Sequence, residues 1–533
     1  MSGTDPRRWL RDARRAIARL PSLRIGRVPD APALPVRDPW PGDPAGGARL
    51  LKGELEIGGA TRPLKPGGWY DSSGSSLLRA GAHSFSWLRD LRALGTDAAR
   101  LRARALVAEW ISAPPPDPIA YRPDVVGARI TAWLGHYDFF AATADDSFRQ
   151  RLMARLVSDA RGLSAALPAE ELDARALTAL KGLIAAAVAL PDHAGFLTRA
   201  LRFLPQEISR QVLPDGCHAE RSPAAQLASL QDLTEIRALL QAAQTQPPLA
   251  LTSAIERMAP ALRVLRHGDG GLALFNGSRE ENGALVDLVL TQAGRSGRGP
   301  LTLTDGGFQR LQAGRSVLIV DCGAPPPPGV DRYAHAGTLS MELSVGRDRL
   351  IVNCGAFPAG PPEWRNAARA TAAHSTLVIA DVSSSELKPD GLGRRPTLVE
   401  AQRQEANGAH WLEANHDGWR KPFNAVHRRR LYLAESGDDI RGEDVIEAPE
   451  PQPFSLRFHL HPDVQANLQQ DREAVLLRLR SGSGWRLRAD GARMSLEESI
   501  YLGGAEPRRS EQVVLSGHVD GPQQIKWAIS KVG

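Results

Sequence analysis

The stretch "ARATAAHSTLVIAD", residues 368–381, sets Arg369 and His374 at the mouth of an apolar segment, 375–380, that reads as a buried strand. An imidazole there can move a proton, hold a metal or satisfy a nearby carbonyl. A second polar pair, Tyr333 and His335, stands in "YAHAGTLSMELSVGRDRLIVNCG" just ahead of another strand. Side chains two apart in extended backbone face the same way, so both can enter one cleft. After a turn at 346–348 the return strand ends in Asn353 and Cys354. Two imidazoles and an amide can thus converge at one sheet end, where neutral His and a side-chain carbonyl bind a divalent metal. Spacing alone equally allows each His to pair with a loop carbonyl, because separated histidines are not a metal motif.

The first half of the chain offers two further clusters. In "LPDGCHAERSPAAQ" a Pro/Gly turn leads to a helix capped by Ser222, and His218, Glu220 and Arg221 crowd the loop before the cap. That loop can bind an anionic ligand, or it can be a surface ion pair beside a cap. Arg129 and Trp133 lie four apart on one helical face. A guanidinium beside an indole suits a sugar acid, through stacking and a carboxylate contact, although Trp133 can equally be core with Arg129 snorkelling past it. "HGDGG" lacks the Lys and the strand–loop–helix setting of a phosphate loop and reads as a turn. There is no GxSxG, HExxH or zinc-finger spacing.

Positioning these groups falls to two kinds of element. From residue 84 to about 266, segments such as "DVVGARITAWLGHYDFF" and "DSFRQRLMARLVSDARGLSAAL" carry apolar residues at helical spacing between short Pro, Gly or Asp breaks. Consecutive antiparallel helical hairpins fit a bundle, a solenoid or an (α/α) toroid. From 267 to 533 the period shifts toward two, with short strands between Gly, Asp and Pro turns, the pattern of a large antiparallel β-sandwich. Residues 1–83 form an extension. It holds a short helix in "PRRWLRDARRAIARL", a Pro/Gly-rich segment and a small hairpin turning at Gly58-Gly59.

At 533 residues the chain exceeds one ordinary core. Its net charge is +6, but the 66 basic residues are nearly all Arg, dispersed among acids rather than gathered in a tail. That pattern argues against a nucleic-acid partner and keeps an acidic ligand open. The three cysteines show no paired spacing, so reduced thiols are expected. The first twenty residues are basic without an apolar core, and no run reaches membrane-spanning length. A cytoplasmic protein with no membrane partner is the expectation, with the periplasm left open. Oligomeric state is not legible.

Taken together, "LPDGCHAERSP", "AHAGTLSMELSVGRDRLIVNCG" and "RATAAHSTLVIAD", in that order after a helical half, resemble the heparinase II/III-like family of polysaccharide lyases. The resemblance implies an incomplete (α/α) toroid followed by antiparallel β-sheets, with a substrate cleft between them. It also implies eliminative cleavage of a uronic-acid-containing polysaccharide or oligosaccharide. A base removes the proton α to the carboxylate, an acid assists loss of the 4-linked oxygen, and Arg, Asn or His neutralises the enolate-like charge. On that resemblance His335, His374, Tyr333 and Arg369 are catalytic candidates, and Arg129, Trp133, His218, Glu220 and Arg221 are substrate-binding candidates. His335, Asn353 and His374 are candidates for a zinc or other divalent metal. Three positions depart from the pattern. Ala224, Ala225 and Gln226 stand where a catalytic tyrosine is usual, Tyr333 and Gly337 replace a histidine and an aspartate, and Asn353 replaces a metal-binding aspartate. The expected function is a diverged lyase, or else a glycan-binding or assembly protein that has lost the reaction.

Overall fold

The computed structural model describes residues 28–168, 173–190, 195–294, 299–519 and 521–532. The helix read in "PRRWLRDARRAIARL" lies outside them. The described chain divides into two compact units. One comprises residues up to Gln211 together with Ala228–Ile255 and Ala359–Pro361. The other comprises Val212–Leu227, Glu256–Pro358 and Pro362 onward.

The first unit is helical. Its helices begin at the caps the sequence supplies: Asp43, Ser75, Thr96 and Asp145 each accept a backbone N–H of the first turn. The helices Pro123–Gly135 and Arg175–Ala189 pack in close approach through Gly127 and Gly182, where a Cβ on Gly182 would lie 2.2 Å from the Gly127 Cα. The small hairpin pairs Glu54–Ile57 with Ala60–Pro63 across Gly58-Gly59, both in left-handed backbone.

The second unit is built on two antiparallel sheets. In the nine-stranded sheet the path runs Arg493–Tyr501, Arg508–Val519, Gln452–Leu460, Asp348–Val352, Met341–Val345, Ser316–Asp321, Phe308–Ala313 and Thr302–Leu303. Leu377–Ile379 pairs with Gln452–Leu460 off that path. The eight-stranded sheet runs Val399–Ala406, Ala409–Trp419, Ala425–Leu433, Asp439–Glu447, Gln523–Lys531, Gly484–Asp490, Ala474–Arg478 and Gln465–Leu468. Alternating apolar residues of both sheets share one core, among them Leu343, Leu456, Leu431 and Ile529. Met341–Val345 is buried on both faces although its sequence alternates, so the polar Glu342 and Ser344 are buried along with Met341, Leu343 and Val345.

The strand Gln452–Leu460 changes partner along its length. Its end pairs with Asp348–Val352 and its start with Leu377–Ile379. The ends of those two strands therefore meet, bringing Asn353 and the segment 371–375 side by side.

Candidate functional site

Ser375 closes that junction. Its N–H donates to Asn353 Oδ1 at 3.0 Å, its hydroxyl donates to the Val352 carbonyl at 2.6 Å, and it accepts the His459 N–H at 2.9 Å. Cys354 N–H donates to the Ala373 carbonyl, and Ala336 N–H to the Arg369 carbonyl. The loop carrying His335 is thereby tied to the loop carrying His374. Tyr333 and His335 lie in irregular backbone rather than in a strand, so the same-face argument does not apply: His335 is buried while Tyr333 is half-buried.

The two imidazoles touch. His335 Nδ1 and His374 Nε2 are 3.0 Å apart, with the rings nearly perpendicular. Their protonation follows from one neighbour. His374 Nδ1 lies 2.8 Å from the Ala370 carbonyl, which only accepts, so Nδ1 carries the proton and Nε2 holds a lone pair. His335 Nδ1 then donates to it, leaving His335 Nε2 unprotonated. Burial lowers the His374 pKa to about 4, and burial with His374 and Arg369 nearby holds His335 well below 6.5. Both rings are neutral at neutral pH. Gly337 lies against this pair: a Cβ there would sit 2.8 Å from His374 Cδ2, so the ring occupies the space an aspartate would need.

Arg369 is 2% exposed. It donates to the Ala334, Lys388 and Gly391 carbonyls at 2.9, 2.8 and 2.6 Å, tying three loops together. Among the described residues no carboxylate pairs with it.

A divalent metal would draw on His335, His374 and Asn353. The two imidazoles spend a lone pair and a proton on each other, the Asn353 oxygen already accepts from Ser375, and Asn353 Nδ2, buried and without a partner, cannot ligate. Among the described residues no three His, Cys, Asp or Glu side chains gather in a metal-holding arrangement. Two neutral rings without an anionic donor do not fit a closed zinc site.

The loop 218–221 is buried rather than exposed. His218 donates its backbone N–H to Gln226 Oε1 at 2.6 Å, and its Nδ1 accepts from Glu220 N–H. Arg221 forms a buried ion pair with Asp321 and donates to the Gly306, Gly323 and Ala324 carbonyls. Ser222 caps the helix as expected, its Oγ 3.4 Å from Ala225 N. Gln226, at one of the positions left by the missing tyrosine, spends its amide on the Gly216 and Met258 carbonyls. In the first unit, Arg129 and Trp133 are fully buried. Arg129 pairs with Asp159 at 2.9 Å and lies 4.3 Å from the Trp110 ring, so neither side chain faces a ligand surface.

Four supporting residues escaped the sequence reading. Asn276 donates to the Arg221 carbonyl and accepts the His335 N–H, joining the two loops. Glu342, fully buried, accepts from Asn353 N–H, Leu274 N–H and His267 Nε2. His459 bridges Ser499 and the Ala372 carbonyl. Asn276 and His267 lie in "RHGDGGLALFNGS", a stretch that reads only as a turn and a change of period, and Glu342 lies in an alternating strand segment, "MELSV", that marks no site.

The family model described as heparinase II/III N-terminus matches residues 105–294, and that described as heparinase II/III-like, C-terminal, matches 295–528. FtsZ-localized protein C of Caulobacter vibrioides is 32% identical over 522 residues, covering 93% of this chain and 89% of that protein. A crystal structure of heparinase III superposes with a TM-score of 0.76 at 15% identity, over 98% of this chain and 89% of that one. The heparan sulfate lyase HepC of Pedobacter heparinus does so at 0.59 and 16%, over 98% and 88%. The fold is therefore an N-terminal incomplete (α/α) toroid with a C-terminal antiparallel β-sandwich.

Proposed function

This chain belongs to the heparinase II/III-like family, and we propose that it uses the family scaffold as a non-catalytic glycan-binding or assembly protein. One observation carries the reading: the groups that elimination would need are already committed. Uronate cleavage needs a cation or strong donors on the carboxylate, a base on the α-proton and an acid on the leaving oxygen. Each nitrogen of Arg369 already donates to a backbone carbonyl, Arg221 is ion-paired with Asp321, and Gln226 is bonded to backbone at a position left by the missing tyrosine. The relative from Caulobacter is named for its localisation with FtsZ, which favours an assembly role and makes FtsZ polymers the protein partner to test.

A second reading is a lyase acting on an acidic polysaccharide, and it rests on the tautomer chain. The pair leaves His335 Nε2 as a neutral lone pair, and the hydroxyl of Tyr333, a half-buried residue two positions before His335, would be the acid. In that reading His374 is a positioning residue that fixes the His335 tautomer.

The deciding experiment follows ultraviolet absorbance of unsaturated uronate product over a panel of acidic polysaccharides, with co-sedimentation on FtsZ polymers in parallel. We expect no product and a polymer-bound fraction. Product formation that disappears in His335→Gln, and slows in Tyr333→Phe with folding intact, would overturn the binding reading in favour of the lyase.

A further inference from the structure

One face of the eight-stranded sheet, to which neither His335 nor His374 belongs, carries an organised row of side chains. Trp411 stands directly opposite Tyr432, Tyr432 opposite Arg441, Arg441 opposite Ala528, and Ala528 opposite Arg488. At the usual strand spacing these five positions span about 19 Å. Trp411 is 41% exposed although it is large and apolar, and its ring centroid lies 5.2 Å from that of Tyr432. The Arg441 guanidinium lies 5.9 Å from the Tyr432 ring and pairs with Asp439 on its own strand. Arg488 makes no side-chain hydrogen bond or ion pair among the described residues. Ala528, the one small residue in the row, leaves a depression between the two cations. A groove of about 830 Å³ follows this row, and a second of about 410 Å³ lies on the other flank of Trp411.

The neighbouring row is different. Glu413, Arg430, Glu443, Lys526 and Asp490 are matched in register with alternating sign, and Arg430 lies 2.9 Å from Glu443 and 3.3 Å from Glu413. Those charges pair off with one carboxylate in excess, at the Asp490 end. What remains uncompensated in the first row is a pair of aromatic faces leading to an unpaired arginine.

We propose that this row is a binding site for an acidic oligosaccharide, with sugar rings stacked on Trp411 and Tyr432 and a carboxylate or sulfate held by Arg488. Aromatic rings accept the C–H faces of a sugar while leaving its hydroxyls to solvent and polar neighbours. Guanidinium groups take a carboxylate or sulfate through paired N–H donors. The row beside it, three carboxylates against two cations, supplies hydroxyl partners of both signs and no net positive charge of its own. Cross-strand pairing of Trp411 with Tyr432 also stabilises the hairpin, but pairing does not account for an unpaired arginine in line with it. The site takes up the glycan side of the function above at a separate place and holds whether or not the histidine pair does chemistry.

The test is calorimetric binding of heparan sulfate and oligogalacturonate fragments, with neutral dextran fragments as control. Arg488→Ala is exposed and unpaired, so it leaves the fold intact. It and Trp411→Ala are each expected to lower affinity at least tenfold, Trp411→Phe to retain most of it, and His374→Ala to leave it unchanged. Binding to neither acidic fragment, equal binding of dextran, wild-type affinity in Arg488→Ala and Trp411→Ala, or loss only in His374→Ala would each overturn the proposal. The last outcome would move glycan binding to the histidine pair.

Discussion

His374 shows what burial does to an imidazole at a strand end. Its ring is neutral because desolvation outweighs the carbonyl it donates to, and its pKa falls to about 4 from 6.5. The native state therefore binds fewer protons than the unfolded chain between those two values. Stability from this group is fully present above the unfolded pKa of 6.5 and is lost as pH falls toward about 4, by an amount on the order of 3 kcal/mol. His459, lowered to about 3 by burial, acts in the same direction. Urea unfolding at about pH 7 and about pH 4.5 should show this loss, and His374→Gln should flatten it. A slope unchanged by the substitution would mean that other groups carry the acid sensitivity. Arg129 makes the complementary case. Asp159→Ala leaves it fully buried beside Trp110 with its partner removed, and should cost about 3–5 kcal/mol in unfolding free energy. That would identify the Arg129–Trp133 face as structural.

At the scale of elements, two close approaches hold the positions. The helices Pro123–Gly135 and Arg175–Ala189 meet where Gly182 faces Gly127, and a methyl group there would run into backbone. Gly182→Ala should push the helices apart and destabilise the first unit by about 1–3 kcal/mol, measurable as a lowered melting temperature. In the second unit, the change of partner along Gln452–Leu460 is what brings Asn353 against Ser375. Ser375→Ala removes the hydroxyl that links the Val352 carbonyl to the His459 N–H. It should cost about 1–3 kcal/mol, because both buried backbone groups lose a partner.

For the whole molecule, the decisive question is whether the scaffold keeps a metal or a reaction. Two neutral imidazoles bonded to each other and an amide already used predict a protein purified without stoichiometric zinc, whose melting temperature does not move with chelator. Elemental analysis with a melting curve in a strong chelator checks this. One zinc per chain and a chelator-induced drop would show that the histidine pair opens to ligate.

Much of the architecture is legible in the sequence: helical periodicity in the first half, strand alternation in the second, helix caps such as Ser222, and the Gly58-Gly59 hairpin. These are local signals, because capping and patterning depend on neighbours within a few residues. The helices Gly283–Ala293 and Pro362–Arg369 correct the expectation that the chain is strand-like from 267 to its end. The motifs also named the two histidines, which lie 39 residues apart in the chain and 3.0 Å apart in space. What only the tertiary structure decided is which polar groups remain available. His218, Arg221, Arg369 and Arg129 look like ligand-facing residues in one dimension, yet each is buried by partners from elsewhere in its unit. A buried polar group must find a partner somewhere in the fold, and nothing near it in sequence says which carbonyl or carboxylate that will be. Trp411 and Arg488 come into line only through the register of five strands, so their relation is invisible until the sheet is built.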